Sequence, residues 1–149
     1  MMKNFIRRLF GRFHVVTHSD VLSYKGSWRK GAFHGYGVLE YSNGGLYKGD
    51  FKSGVKHGFG VYTSASGFRY EGEWSYSEQT GSAKISYKNG DWYEGAVKNG
   101  VRCGLGELSE LSSQRIFKGN WQNGSLVGDI HITSSDWKYF GTIPDPHGR

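Results

Sequence analysis

The residues of this chain with the means to do chemistry are six histidines, one cysteine, several acids beside glycines, and a loop dense in glycine and hydroxyls. His34 and His57 each precede a Gly-x-Gly and stand 23 residues apart. On successive β-hairpins they would lie two strands apart, about 9.6 Å, too far for one zinc ion to bridge. They read instead as structural, turn-stabilising side chains. None of His14, His18, His131 and His147 lies in the HExxH pattern of zinc hydrolases. Cys103 recurs at the position of His34 and His57 and has no catalytic context, and no GxSxG nucleophile turn is present. The stretch Gly58 to Gly67 has the glycine content of a phosphate loop but lacks its GK[ST] ending and its strand–loop–helix setting. Glu71, Glu73 and Glu94 flank glycines where strand alternation points them to solvent, away from any paired-carboxylate geometry. Neither catalytic residues, nor a metal site, nor a cofactor is implied, and the chain is expected not to be an enzyme.

What these residues share is a rhythm, and the rhythm specifies the elements. Units beginning at Tyr24, Tyr47, Tyr70, Tyr93 and Phe117 follow one another at spacings of 23, 23, 23 and 24 residues. Each opens with an aromatic residue, a glycine two places on (Gly26, Gly49, Gly72, Gly95, Gly119) and a large side chain four places on (Trp28, Phe51, Trp74, Val97, Trp121). Residues i, i+2 and i+4 share one face of a strand, so this is a strand pattern. A turn dipeptide follows, such as Lys30-Gly31 or Asn99-Gly100, because glycine supplies the positive φ of a tight hairpin. The second strand then begins near His34, His57 or Cys103, and "SNGG" or "KNGD" returns the chain for the next unit. The fold expected is all-β: a single extended antiparallel sheet of stacked β-hairpins, about 48 Å long for ten strands. Paired glycines, Gly35 with Gly37 and Gly58 with Gly60, are expected to leave room for neighbouring rings to lie flat on the backbone.

Composition agrees with one folded domain. Glycine is 24 of 149 residues and proline only 2, while aromatics make up 16% and supply the apolar area that disordered chains lack. A lone cysteine excludes an internal disulfide, which favours a reducing or neutral compartment. Neither an 18-residue apolar run nor a secretory leader is evident. The net charge of +6 is concentrated in Lys3, Arg7, Arg8 and Arg12, leaving 15 basic against 13 acidic residues afterwards. No basic stripe is left for nucleic acid.

The lattice YxGxWxxGxxHGxG, written in full by Tyr24, Gly26, Trp28, Gly31, His34, Gly35 and Gly37, resembles the MORN (membrane occupation and recognition nexus) repeat. The resemblance covers Tyr24 to about Lys138; unit three departs at Ser77, Thr80 and Ala83, and unit five at Val127 and Ile130. Similar repeats occur in junctophilins, plant phosphatidylinositol phosphate kinases, ciliary radial-spoke components and cytoskeletal scaffolds. The resemblance implies an adaptor, and with the repeats filling most of these 149 residues no separate catalytic domain is expected among them. His14 to Ser23 can be laid over the second half of a unit and Tyr139 to Ile143 over the start of another, so half-repeats 14–23 and 139–149 should cap a domain spanning 14–149. Pro144 and Pro146 cannot donate ladder hydrogen bonds and should end strand addition.

Residues 1–13 stand outside the rhythm. Met2, Phe5, Ile6, Leu9, Phe10 and Phe13 fall at helical spacing, opposite Lys3, Arg7, Arg8 and Arg12. A basic amphipathic helix of about ten residues is unstable alone in water and needs a surface. That surface is the protein's own first hairpin, an anionic membrane, the mitochondrial import machinery or a partner protein.

The function expected is therefore a non-catalytic scaffold that holds a helix or strand of a partner protein in an aromatic groove formed by Tyr24, Trp28, Tyr36, Tyr47, Phe51, Phe59, Tyr70, Trp74, Tyr93 and Trp121. The alternatives are an adaptor for anionic phospholipid and a subunit of a mitochondrial complex, with Lys3, Phe5, Ile6, Arg7, Arg8, Leu9, Phe10 and Arg12 as the membrane- or partner-binding residues. A cytoplasmic protein associated with cytoskeleton, cilium or membrane fits the first two and a mitochondrial one the third. Open sheet edges leave room for a homodimer.

Overall fold

The computed structural model describes residues 20–144, and these form eleven strands. They are β1 (Val21–Arg29), β2 (Ala32–Tyr41), β3 (Leu46–Lys52), β4 (Val55–Thr63), β5 (Arg69–Ser75), β6 (Glu78–Ser86), β7 (Trp92–Lys98), β8 (Val101–Glu110), β9 (Arg115–Gln122), β10 (Ser125–Thr133) and β11 (Lys138–Ile143). Every strand pairs only with its neighbours in sequence, giving one open antiparallel sheet in the order β1 to β11. Among the described residues there is no helix. The helix expected over residues 1–13 lies outside them, as do residues 14–19 and 145–149 of the two half-repeats. Val21–Ser23, read as the end of the first half-repeat, belong to β1, and β11 stops at Pro144.

The five hairpins β1–β2, β3–β4, β5–β6, β7–β8 and β9–β10 all close through two residues, both with positive φ. Lys30-Gly31 (50° and 80°), Ser53-Gly54 (51° and 89°) and Asn99-Gly100 (51° and 73°) have the signs of the type I′ turn, whose twist matches that of the strands it joins. Unit three, with no turn glycine, is held in the same turn by Tyr76 (50°) and Ser77 (68°). Here the register of the flanking strands overrides local preference.

Each hairpin also carries a bulge in its register, for example between Gly49↔Gly60 and Phe51↔Lys56. This divides the glycine pairs, expected to act alike, into two roles. Gly58 has φ 71°, the left-handed backbone of the bulge, and Gly35, Gly81, Gly104 and Gly128 repeat it. Gly60 is needed for space: a Cβ there would come within 2.5 Å of the Tyr47 ring carbons, and one on Gly37 within 2.5 Å of the Tyr24 ring. Only this second glycine of each pair lies under a ring. Units three and five replace it, by Ala83 and Ile130, but keep the bulge glycine.

The bulge exposes backbone acceptors that the ladder cannot satisfy, and the repeat tyrosines meet them. The hydroxyls of Tyr24, Tyr47, Tyr70 and Tyr93 donate to the carbonyls of Ser27 (2.9 Å), Asp50 (3.0 Å), Glu73 (2.8 Å) and Ala96 (2.9 Å). Each acceptor lies three residues on, in or beside the bulge. Tyr47, Tyr70 and Tyr93 are completely buried. Burial pushes the phenols of Tyr24, Tyr70 and Tyr93 up to about 12 and that of Tyr47 higher still.

Candidate binding face

Register divides the sheet into two faces of opposite chemistry. On one, rings interlock from hairpin to hairpin: Tyr24 stacks on Phe33 (3.8 Å between centroids) and meets Phe51 edge-on (5.3 Å), while Tyr47 meets Phe51 (5.1 Å) and Trp74 (5.3 Å). Tyr70 packs on Trp74 (5.0 Å), and Tyr93 on Trp121 (5.6 Å). The indole N–H groups of Trp74 and Trp121 donate to the carbonyls of Gly60 and Gly106, both at 3.1 Å. On the other face Lys48, Glu71, Lys84, Glu94, Glu107 and Lys118 share one cross-strand row, with Val61 between the first two and ion pairs Lys84–Glu94 (3.8 Å) and Glu107–Lys118 (2.7 Å). Lys84–Glu94 is exposed and Glu107–Lys118 partly so, and such surface pairs contribute little.

The ten aromatics expected to line one groove therefore separate. Tyr24, Tyr47, Phe51, Tyr70, Trp74, Tyr93 and Trp121 are on the aromatic face but buried, covered by rings of adjacent units, and act as the core of a one-layer protein. Trp28 lies on the same face, half-buried against Tyr24 (5.3 Å) and Phe33 (4.9 Å). Tyr36 and Phe59, 61% and 53% exposed, are on the charged face, because they pair with Asp50 and Glu73 and alternate with the buried residues. A partner approaching the aromatic face meets a different row. Tyr41, Tyr62, Phe68 and Tyr87 are half-buried and lie ring to ring at 6.1, 6.5 and 6.0 Å, across three units. They fall near the ends of second strands and in the return loops, where the repeat lattice prescribes no aromatic, so spacing alone does not reveal them.

Next to this row is an open groove of about 360 Å³ lined by Lys56, Tyr62, Trp74, Ser77, Glu78, Gln79, Asn99 and Gly100. Lys56 extends its ammonium over Trp74 (4.3 Å to the ring centroid), with Tyr47, Tyr62 and Tyr41 at 5.4, 5.7 and 5.8 Å. Burial holds its pKa below the usual lysine value. Arg102, at the equivalent place two units on, lies over Trp121 (4.4 Å), and its Nη2 donates to the Gly124 carbonyl (2.9 Å). The ninth position after the opening aromatic reads Phe33, Lys56, Gln79, Arg102 and Leu126. A cation occupies it in the two units whose successor carries Trp at its fourth position; this covariation is present in the sequence and marks the site.

The described histidines His34 and His57 stand in different surroundings. His34 Nδ1 accepts the Ser53 amide (3.4 Å), tying β2 to the turn of the next hairpin, whereas His57 Nδ1 is buried without a partner and its ring lies 5.8 Å from Tyr76. Among the described residues no three His, Cys, Asp or Glu side chains group as ligands. His14 and His18, four residues apart, lie outside the described residues, as do all eight residues expected to form the N-terminal binding segment.

Hairpins of fixed length, each handing its aromatic face to the next across one sheet, define a β-hairpin repeat protein. The chain belongs to the MORN repeat family, which it matches over residues 24–46, 47–69, 70–92 and 93–109, more than half of its 149 residues. Hairpin β9–β10 extends the same geometry beyond the matched span, with Phe117 where the other units have tyrosine. Among curated proteins none matches the chain. The family is a non-catalytic repeat family whose members serve generally in protein and membrane interaction.

Proposed function

We propose that this protein is a non-catalytic scaffold that holds a helix or strand of a partner protein on its aromatic face. The observation that carries the reading is the row Tyr41, Tyr62, Phe68 and Tyr87: four half-buried rings in mutual contact, on a face that no other described layer covers. Aromatic side chains in such a row offer large apolar area at low conformational cost and are favoured at protein interfaces. The opposite face carries lysine–glutamate pairs, with Tyr36 and Phe59 exposed singly among polar residues.

The test is affinity isolation from the native source with wild type and with the double variant Tyr62→Ser, Phe68→Ser. The expected result is a defined partner retained by wild type and lost by a variant that still melts cooperatively. Equal retention would remove the aromatic face from the interaction. A second reading, recruitment to anionic membranes, is favoured by the basic amphipathic spacing of residues 1–13. Co-sedimentation with phosphatidylserine vesicles, comparing the full chain with one starting at His14, checks it: binding should depend on residues 1–13 and fall with salt.

A further inference from the structure

We propose that the groove beside Lys56 is a docking site for an acidic segment of a partner protein, one carboxylate pairing with the Lys56 ammonium while the flanking residues cover Trp74 and Tyr62. The proposal rests on the partner-binding reading above and specifies the chemistry of the partner.

Three observations select an acid. First, Lys56 Nζ is withdrawn among four rings and, among the described residues, makes neither a hydrogen bond nor an ion pair. An ammonium partly withdrawn from water among ring faces, with no counter-ion beside it, is an incomplete arrangement, and burial lowers its pKa. Secondly, the register denies it a carboxylate from its own face. Glu40, Asp50, Glu71, Glu73, Glu94 and Glu107 all alternate to the charged face, and Glu110 is at the loop end of β8. Glu78, at the rim of the groove, is exposed and makes no ion pair with Lys56. Thirdly, the rest of the lining suits a peptide: Ser77, Gln79 and Asn99 present polar side chains, while Trp74 and Tyr62 present ring surface. Arg102 adds a second positive charge to the same face two units further on. A basic or neutral segment would leave Lys56 uncompensated; an acidic one completes it.

The test uses the full chain and a synthetic dodecapeptide of repeating Glu-Glu-Leu, followed by NMR of the Trp74 indole N–H and the Lys56 ε-methylene. Saturable shifts of both signals are expected, with a Gln-Gln-Leu peptide inert. Lys56→Gln should weaken binding about tenfold, as the loss of one charge-assisted contact requires, and Lys56→Arg should retain it. Both variants place residues that this position already accommodates, at Gln79 and Arg102. Equal affinity of wild type and Lys56→Gln, equal shifts from both peptides, or no shift at all would overturn the proposal. So would Lys56-dependent binding to phosphatidylserine vesicles in place of the peptide, which would assign the site to a lipid headgroup. If the peptide fails while partner capture still depends on Tyr62 and Phe68, the acidic chemistry is wrong and the scaffold reading stands.

Discussion

At the scale of single residues, the repeat tyrosine does two jobs that its phenylalanine analogue cannot combine. Its ring fills the space above a glycine, and its hydroxyl satisfies a carbonyl at the bulge. Tyr47→Phe keeps the first and loses the second, leaving the Asp50 carbonyl without that donor; urea denaturation should show a loss of about 1–2 kcal/mol. Gly60→Val places a side chain into the Tyr47 ring and should cost at least about 2 kcal/mol, as should Gly37→Val under Tyr24. Ser27→Ala and Asp50→Ala, on the solvated side, should stay within about 0.5 kcal/mol, so thermal melts that failed to separate the two classes would refute the steric account. The phenols also make the protein sensitive to alkali. Their folded pKa values are raised above that of the unfolded chain, so the native state binds more protons between the two. Stability is full below about pH 10 and should fall as pH rises from there to about 12, with tyrosinate absorbance from the rings released by unfolding appearing together with loss of the β signal.

At the scale of the hairpin, geometry was legible wherever one unit decides its own conformation. The 23-residue spacing, the turn glycines and the i, i+2, i+4 alternation place the strands, and Asn99-Gly100 or Asn123-Gly124 nearly name their turn type. Legibility ended where a residue's role depends on the next hairpin. Tyr47 reads as a groove residue until Trp74, one unit on, covers it; Tyr36 and Phe59 join the same list unless parity is followed through the bulge. The position shared by Lys56 and Arg102 acquires meaning only against Trp74 and Trp121 of the units that follow. Unit three tests the opposite case, a turn whose residues disagree with its shape. Tyr76 and Ser77 adopt left-handed φ at a cost of roughly 1 kcal/mol each for non-glycine residues. Tyr76 is an exposed side chain, and Tyr76→Asn should raise stability by about 0.5 kcal/mol in a thermal melt, since asparagine suits the first position of a type I′ turn.

At the scale of the molecule, the sheet is a line of interchangeable links. Gly37 faces Gly49 as Gly60 faces Gly72, and Leu39 faces Tyr47 as Tyr62 faces Tyr70. Excising residues 47–69 should therefore bring Gly37 opposite Gly72 and yield a folded, shorter sheet. Its denaturant m-value should fall by roughly a sixth, in proportion to the surface removed, with a lower melting temperature. An unfolded product would mean that the units are not equivalent. The neighbour-only order of the strands has a further effect, on the timing of assembly. No strand waits for a distant one, so the loops that must close are never longer than a turn or a return segment, unusually local for an all-β chain. A polypeptide leaving the ribosome could lay down each hairpin against the last as it emerges, and its newest edge would be the only part still unfinished at any moment of synthesis.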